Sequence, residues 1–161
     1  MSNEASVSDI NETLNAMNAS KADELSQKYL LFISDELDFG VKVSFVNEIV
    51  TNYHITKVPL VPHYIKGIIN LRGQVVPIID IRSKMGKAEI EQTAQSCIIV
   101  LDNGSVTVGI YVDTVSHVAD IDSDSISPPS PHNRLEMVNG MVSLGENKTL
   151  FLMDCDKLIE N

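Results

Sequence analysis

Two hairpin patterns at a fixed offset limit what this chain can fold into more than any other feature. Tyr29-Leu30-Leu31-Phe32-Ile33 is an apolar run that meets the polar turn Ser34-Asp35-Glu36 and returns as Phe39-Gly40-Val41-Lys42-Val43. Cys97-Ile98-Ile99-Val100-Leu101 likewise meets Asp102-Asn103-Gly104 and returns as Val106 to Val112. Asn-Gly between two apolar runs is a strong hairpin signal. Gly40 recurs as Gly109, and Pro62-His63 recurs as Pro131-His132 at the same offset. Each copy closes with a second hairpin ending in an aspartate, Gly67 to Asp80 in one and Asn139 to Asp154 in the other. A repeat this long is architecture, and short strands at this spacing favour small antiparallel barrels over a parallel sheet. The expectation is an all-β fold of two tandem units, the first over about 28–83 and the second over about 94–161. The polar segment Lys84 to Thr93 bridges them, and Pro128-Pro129 and Pro131 keep the loop after Ile121 out of helix interiors and central strands. Asp156 to Glu160 is expected to add a final helical turn.

Residues 1–27 differ from all that follows. They lack Gly and Pro, are rich in Ser, Asn, Glu and Ala, and carry one lysine against five acids. Val7, Ile10, Leu14 and Met17 fall at helical spacing, yet Asn and Ser are poor helix formers. The expectation is a flexible acidic tail with nascent helicity. Over the whole chain 12 basic residues face 22 acids, a net charge of −10, with no clustered basic face to hold a phosphate backbone. Nucleic acid is therefore not an expected partner. The opening residues lack the basic and apolar regions of a signal peptide, and no apolar run approaches the roughly 20 residues that span a bilayer. A cytoplasmic protein without membrane insertion is expected. Cys97 and Cys155, each in or beside an apolar run, read as small buried hydrophobes of a reducing compartment.

Within a repeat, residues needed only for the fold recur, whereas a functional graft can be confined to one copy. Asp80 and Asp154 recur at strand ends and read as caps or turn formers. Arg72 does not recur: the second copy has Gly145-Glu146-Asn147-Lys148 at its turn. Asn70-Leu71-Arg72-Gly73 is therefore the better functional candidate, with a merely solvated surface turn as its alternative. Alternation along Val43 to Val50 would put Val46, Glu48 and Val50 on one face, a mixed surface suited to docking or, equally, a barrel rim over a core. Val112 to Val118 is the equivalent stretch in the second copy.

Signals for enzyme chemistry are weak. His54, His63, His117 and His132 show no metal-binding spacing, and no phosphate loop or nucleophile elbow is present. Asp120-Ile121-Asp122-Ser123-Asp124 alternates acids like a calcium loop but lacks its glycine and distal glutamate, so a solvated acidic loop is expected.

The pattern resembles the CheW family of chemotaxis coupling proteins over about residues 28–160. The resemblance is carried by Tyr64-Ile65-Lys66-Gly67-Ile68-Ile69-Asn70-Leu71-Arg72-Gly73 running on to Pro77-Ile78-Ile79-Asp80-Ile81-Arg82. Gly109 to Val115, and Leu150-Phe151-Leu152-Met153-Asp154 before Leu158-Ile159, support it. It implies two five-stranded SH3-like β-barrels around a shared hydrophobic core, with a short C-terminal helix. It also implies a non-enzymatic adaptor that couples chemoreceptor cytoplasmic tips to a CheA-type histidine kinase, with no cofactor and no metal. Carried over by position, receptor contacts fall on Val46, Glu48, Val115 and Val118, in a groove between the barrels that takes a receptor helix. Asn70, Leu71, Arg72 and Gly73 are carried over as a docking turn, with Gly67 supporting its hairpin. The kinase is expected to pack its CheW-like regulatory domain against barrel ends. An adaptor of another signalling system, such as surface motility, is the alternative. A small-barrel enzyme using Asp80, Asp113 or a histidine is the reading from a different class.

Overall fold

The computed structural model describes residues 6–18, 28–129 and 136–160. Among them are ten strands: β1 (Lys28–Ser34), β2 (Leu37–Lys42), β3 (Val46–Val50), β4 (Ile65–Leu71), β5 (Gln74–Asp80), β6 (Cys97–Asp102), β7 (Thr107–Val112), β8 (Thr114–Asp120), β9 (Val138–Ser143) and β10 (Thr149–Met153). Three α-helices accompany them: α1 (Val7–Asn18), α2 (Ile81–Lys84) and α3 (Cys155–Glu160). The strands form two five-stranded sheets, in the orders β8-β1-β2-β10-β9 and β3-β6-β7-β5-β4. The all-β duplicated fold with its short C-terminal helix is as expected.

The tandem arrangement is not. Advancing every strand of one sheet by five places reproduces the order of the other, so the duplication is real, but each sheet mixes the two halves. One central hairpin, β1–β2, is flanked by β8, β9 and β10; the other, β6–β7, is flanked by β3, β4 and β5. Short connectors force this exchange. A 3-10 turn at Val43–Phe45 leads from β2 straight into the other sheet, and Asp113 alone separates β7 from β8. Gly40 and Gly109, the first sign of the repeat, lie opposite Leu152 and Ile78 where β2 and β7 meet their parallel neighbours β10 and β5. A Cβ on Gly109 would stand 2.6 Å from Ile78 Cδ1, so any side chain there would force the packed Ile78 and Ile98 side chains to shift. The matching pair Pro131-His132 lies outside the described residues.

Strand alternation divides the core in three. Leu30 and Phe32 of β1, with Cys97, Ile99 and Leu101 of β6, enter one cluster shared by both sheets. The intervening Ile98 and Val100 join Val50, Ile69, Val76, Ile78 and Tyr111 in the second sheet's own cluster. Tyr29 and Leu31 join Ile121, Val142, Leu150 and Leu152 in the first sheet's own cluster. A strand buried on both faces needs a continuous apolar run, which is what β1 and β6 supply. In the shared layer Phe32 stacks on Phe39 at 5.5 Å between ring centroids.

Residues 7–18, expected within a flexible tail, instead form α1. Ile10 and Leu14 are only 3% and 1% exposed and belong to the shared cluster. The apolar spacing was sound; tertiary contact with β3 and β8 overrides the weak propensity of the Asn- and Ser-bearing sequence.

Candidate docking surface

The β4–β5 hairpin closes through Arg72 and Gly73, with Leu71 opposite Gln74. Both turn residues lie in the left-handed region, φ 52° and 86°, as a two-residue turn of the primed type demands. Asn70 steadies the turn, its Oδ1 accepting from Gly73 N at 2.9 Å. Leu71 packs half-buried against the second sheet's own cluster. Midway along β4, the segment around Thr56 bridges to Ile68 through paired backbone bonds of 2.9 Å. Gly67 lies directly beneath that segment: any Cβ there would collide with Thr56 O, and its φ is 155°.

Arg72 is not free to await a partner's acid. It donates from Nη1 and Nη2 to the two carboxylate oxygens of Glu48, the second at 3.0 Å. The arginine side chain is 73% exposed and the glutamate 22%, so the pair is rooted in β3 and reaches outward. Glu48 reaches this position through a bulge. Val46 pairs with Leu101 and Glu48 with Val100, leaving Asn47 as an extra residue. The expected single face of Val46, Glu48 and Val50 is therefore broken. Val46 and Ile49 enter the shared cluster, whereas Val50 enters the second sheet's own cluster.

The same bulge recurs on β8. Leu31 pairs with His117 and Phe32 with Val115, leaving Ser116 as the extra residue, at the repeat offset from Asn47. Val115 accordingly joins the shared cluster, and Val118 packs half-buried against it. Both β3 and β8 are outer strands of their sheets, and α1 lies across them. Asn11 of α1 donates to Ile49 O at 3.0 Å and accepts from Ile49 N at 2.9 Å. Its amide thus serves as one rung of a neighbouring strand for an edge that would otherwise stand open. Asn11, Asn15, Asn47, Glu48 and Arg72 border a recess of about 370 Å³.

A second polar cluster, unforeseen from sequence, ties the sheets together. Arg82 donates to Asp113 from Nε at 3.0 Å and Nη2 at 2.7 Å, and to Asp35 Oδ1 from Nη1 at 3.1 Å. Burial works to raise the Asp113 carboxyl, but hydrogen bonds from Arg82 and Asp35 N, with the arginine charge, hold it below the ordinary range. Asp113 corresponds to Ser44 in the first copy, so the asymmetry test that singled out Arg72 could have singled it out too. Asp80 caps α2, accepting from Arg82 N and Ser83 N, and burial pushes its carboxyl upward. Asp154 accepts from Lys157 N at 3.2 Å in α3. His63 donates from Nε2 to Ser83 O, and His117 contacts Ser116 Oγ; His132 lies outside the described residues. In the acidic loop Asp120 pairs with Lys28, and Asp122 caps a 3-10 turn over Ser123–Ser125. Cys97 and Cys155 are buried with free thiols, both pushed up to about 12 by burial.

The span that carries the bulged edge strands, the Arg72 turn and the exchanged sheets is also the span matched by the CheW-like domain model, residues 28–161. The chain belongs to that family. It is 34% identical to the chemotaxis protein CheW of Klebsiella aerogenes over 141 residues, 85% of this chain and 84% of that protein. To the chemotaxis protein CheW of Bacillus subtilis it is 28% identical over 136 residues, 83% of this chain and 87% of that protein. The crystal structure of the scaffolding protein TtCheW from Thermoanaerobacter tengcongensis superposes with a TM-score of 0.73 at 32% identity, covering 80% of this chain and 89% of that one. As a CheW-family protein this is a chemotaxis scaffold. Among the described residues no helix is long and apolar enough to cross a membrane. Helix α1 precedes the span matched by the CheW-like model.

Proposed function

We propose that the chain is a non-enzymatic cytoplasmic adaptor coupling chemoreceptor cytoplasmic tips to a CheA-type histidine kinase through that kinase's regulatory domain. The observation that carries this reading is the outward-reaching bidentate Glu48–Arg72 pair on outer strand β3, beside a recess bordered by Asn11, Asn15 and Asn47 and next to the apolar residues Val46 and Val115 of the two outer strands. An apolar surface supplies area, and an oriented charge pair beside it supplies register. The receptor side is assigned to Val46, Glu48, Val115 and Val118, with the Asn70-Leu71-Arg72-Gly73 turn beside it and Gly67 holding that turn's hairpin. An adaptor works by geometry: holding two partners at once places them at high effective concentration.

The carboxylates an enzyme would need have structural duties instead. Asp80 caps α2, and Asp113 is engaged by Arg82. Titration calorimetry tests the reading, with the chain titrated against a CheA-type regulatory domain and, separately, a chemoreceptor cytoplasmic-tip fragment. Saturable binding to both is expected. A well-folded chain that binds neither would overturn the coupling role.

A further inference from the structure

The groove between β3 and β8 is already occupied. Val46 and Ile49 on β3 and Val115 and Val118 on β8 are counterparts at the repeat offset, each pair straddling its bulge. Across them lies α1, whose Ile10 and Leu14 share the buried cluster with Val46, Ile49 and Val115. Val46 and Val115 are only 2% and 6% exposed with α1 in place. A partner helix seated on that apolar floor would collide with α1, which Asn11 fastens to the Ile49 backbone groups.

We propose that α1 is a resident competitor for the helix-docking groove, and that a partner's amphipathic helix binds by displacing it. The proposal rests on the adaptor reading for the identity of that partner. What α1 presents defines the chemistry the groove takes: two apolar side chains four residues apart, with a side-chain amide beside the first. The competitor is suited to exchange. At 12 residues α1 is too short to persist unaided in water, so its order depends on the seat. The nine residues 19–27 tether it to β1, which keeps it near the groove at an effective concentration on the order of millimolar. An α1 seated about nine-tenths of the time would weaken a helical partner about tenfold, because only the open fraction binds. The Glu48–Arg72 pair borders the recess beside Asn11 and Asn15, where an incoming helix would first meet charge.

The test uses the full chain carrying Ile10→Asp and Leu14→Asp, which unseat α1 without touching the groove floor. Two probes are titrated into native and variant protein: a chemoreceptor cytoplasmic-tip fragment, and a synthetic peptide of residues 6–18. The variant is expected to bind the receptor fragment at least about tenfold more tightly, and the peptide to bind the variant and compete the fragment away. Equal affinity of the fragment for native and variant protein, or peptide and fragment bound together, would overturn the proposal. Should the fragment bind neither protein, the adaptor reading fails. The groove is then judged by the peptide alone: binding the variant but not the native chain upholds the competition, and binding neither ends it. Asn11→Ala, which removes two hydrogen bonds and adds no charge, gives an independent reading if the double variant misfolds. It should tighten fragment binding several-fold, and no change there would also count against the proposal.

Discussion

Arg72 occupies a backbone conformation that side chains with a Cβ resist, and the first turn position usually goes to Asn, Asp or Gly. Holding an arginine there makes sense when its head group has a task, and the Glu48 carboxylate gives it a fixed direction. Arg72→Glu should abolish that pair and weaken receptor-fragment binding at least tenfold in calorimetry, while Tm moves by no more than about 5 °C. The exchange Glu48→Arg with Arg72→Glu should restore part of the binding, and a collapse of Tm in the single variant would defeat the docking role. Asp113 makes a different kind of prediction. Its folded carboxyl lies below the unfolded value of 3.8, so its stabilisation is present above that value and is lost as pH falls from it through the lower folded-state value. Asp113→Asn should cost about 1–3 kcal/mol in urea unfolding at pH 7, with the gap to native protein constant above about pH 5 and closing below about pH 4. Asp80 carries the opposite sign, since burial raises it and ionisation opposes folding there. At this scale the sequence revealed residues lacking a counterpart in the other copy, and Arg72 is one. It did not reveal pairings such as Arg82 with Asp113, because the partners are brought together only by the fold.

Strands were legible wherever an apolar run met a turn, as β1, β2, β6 and β7 show. Bulges were not. Asn47 and Ser116 carry no glycine to announce them, and each shifts the residues that follow onto the other face. Helix α1 was hidden for the converse reason: its local preference is weak, and its stability comes from a groove not visible in its own sequence. The β4–β5 hairpin shows how one position can govern an element. Gly67→Ala would drive a methyl into the Thr56 carbonyl, whereas Gly73→Ala meets open space and carries only the cost of its positive φ. Urea unfolding should register a loss of at least about 2 kcal/mol for Gly67→Ala and about 1 kcal/mol for Gly73→Ala. Similar losses at the two sites would mean that the 55–56 segment does not clamp β4.

At the scale of the molecule the duplication was legible and the exchange of strands was not. A repeat reveals what each copy contains, whereas the copy with which a strand pairs is decided by connectors as short as Asp113. Because both sheets draw on both halves, neither half is a folding unit. A protease site placed in the segment 87–95 should yield two pieces that stay associated through gel filtration, while either piece made alone should lack cooperative unfolding. A first half that unfolds cooperatively by itself would contradict the exchanged topology. The exchange also bears on synthesis. The hairpin β1–β2 leaves the ribosome ahead of the other strands of its sheet and gains its last partners only when β9 and β10 follow, after β8. A message cut short after β8 would therefore release a chain with one finished sheet and one open flank, an edge of the sort that invites aggregation or degradation. Closure of both sheets thus waits on translation through Met153, and an open strand edge is the mark by which an unfinished chain differs from a finished one.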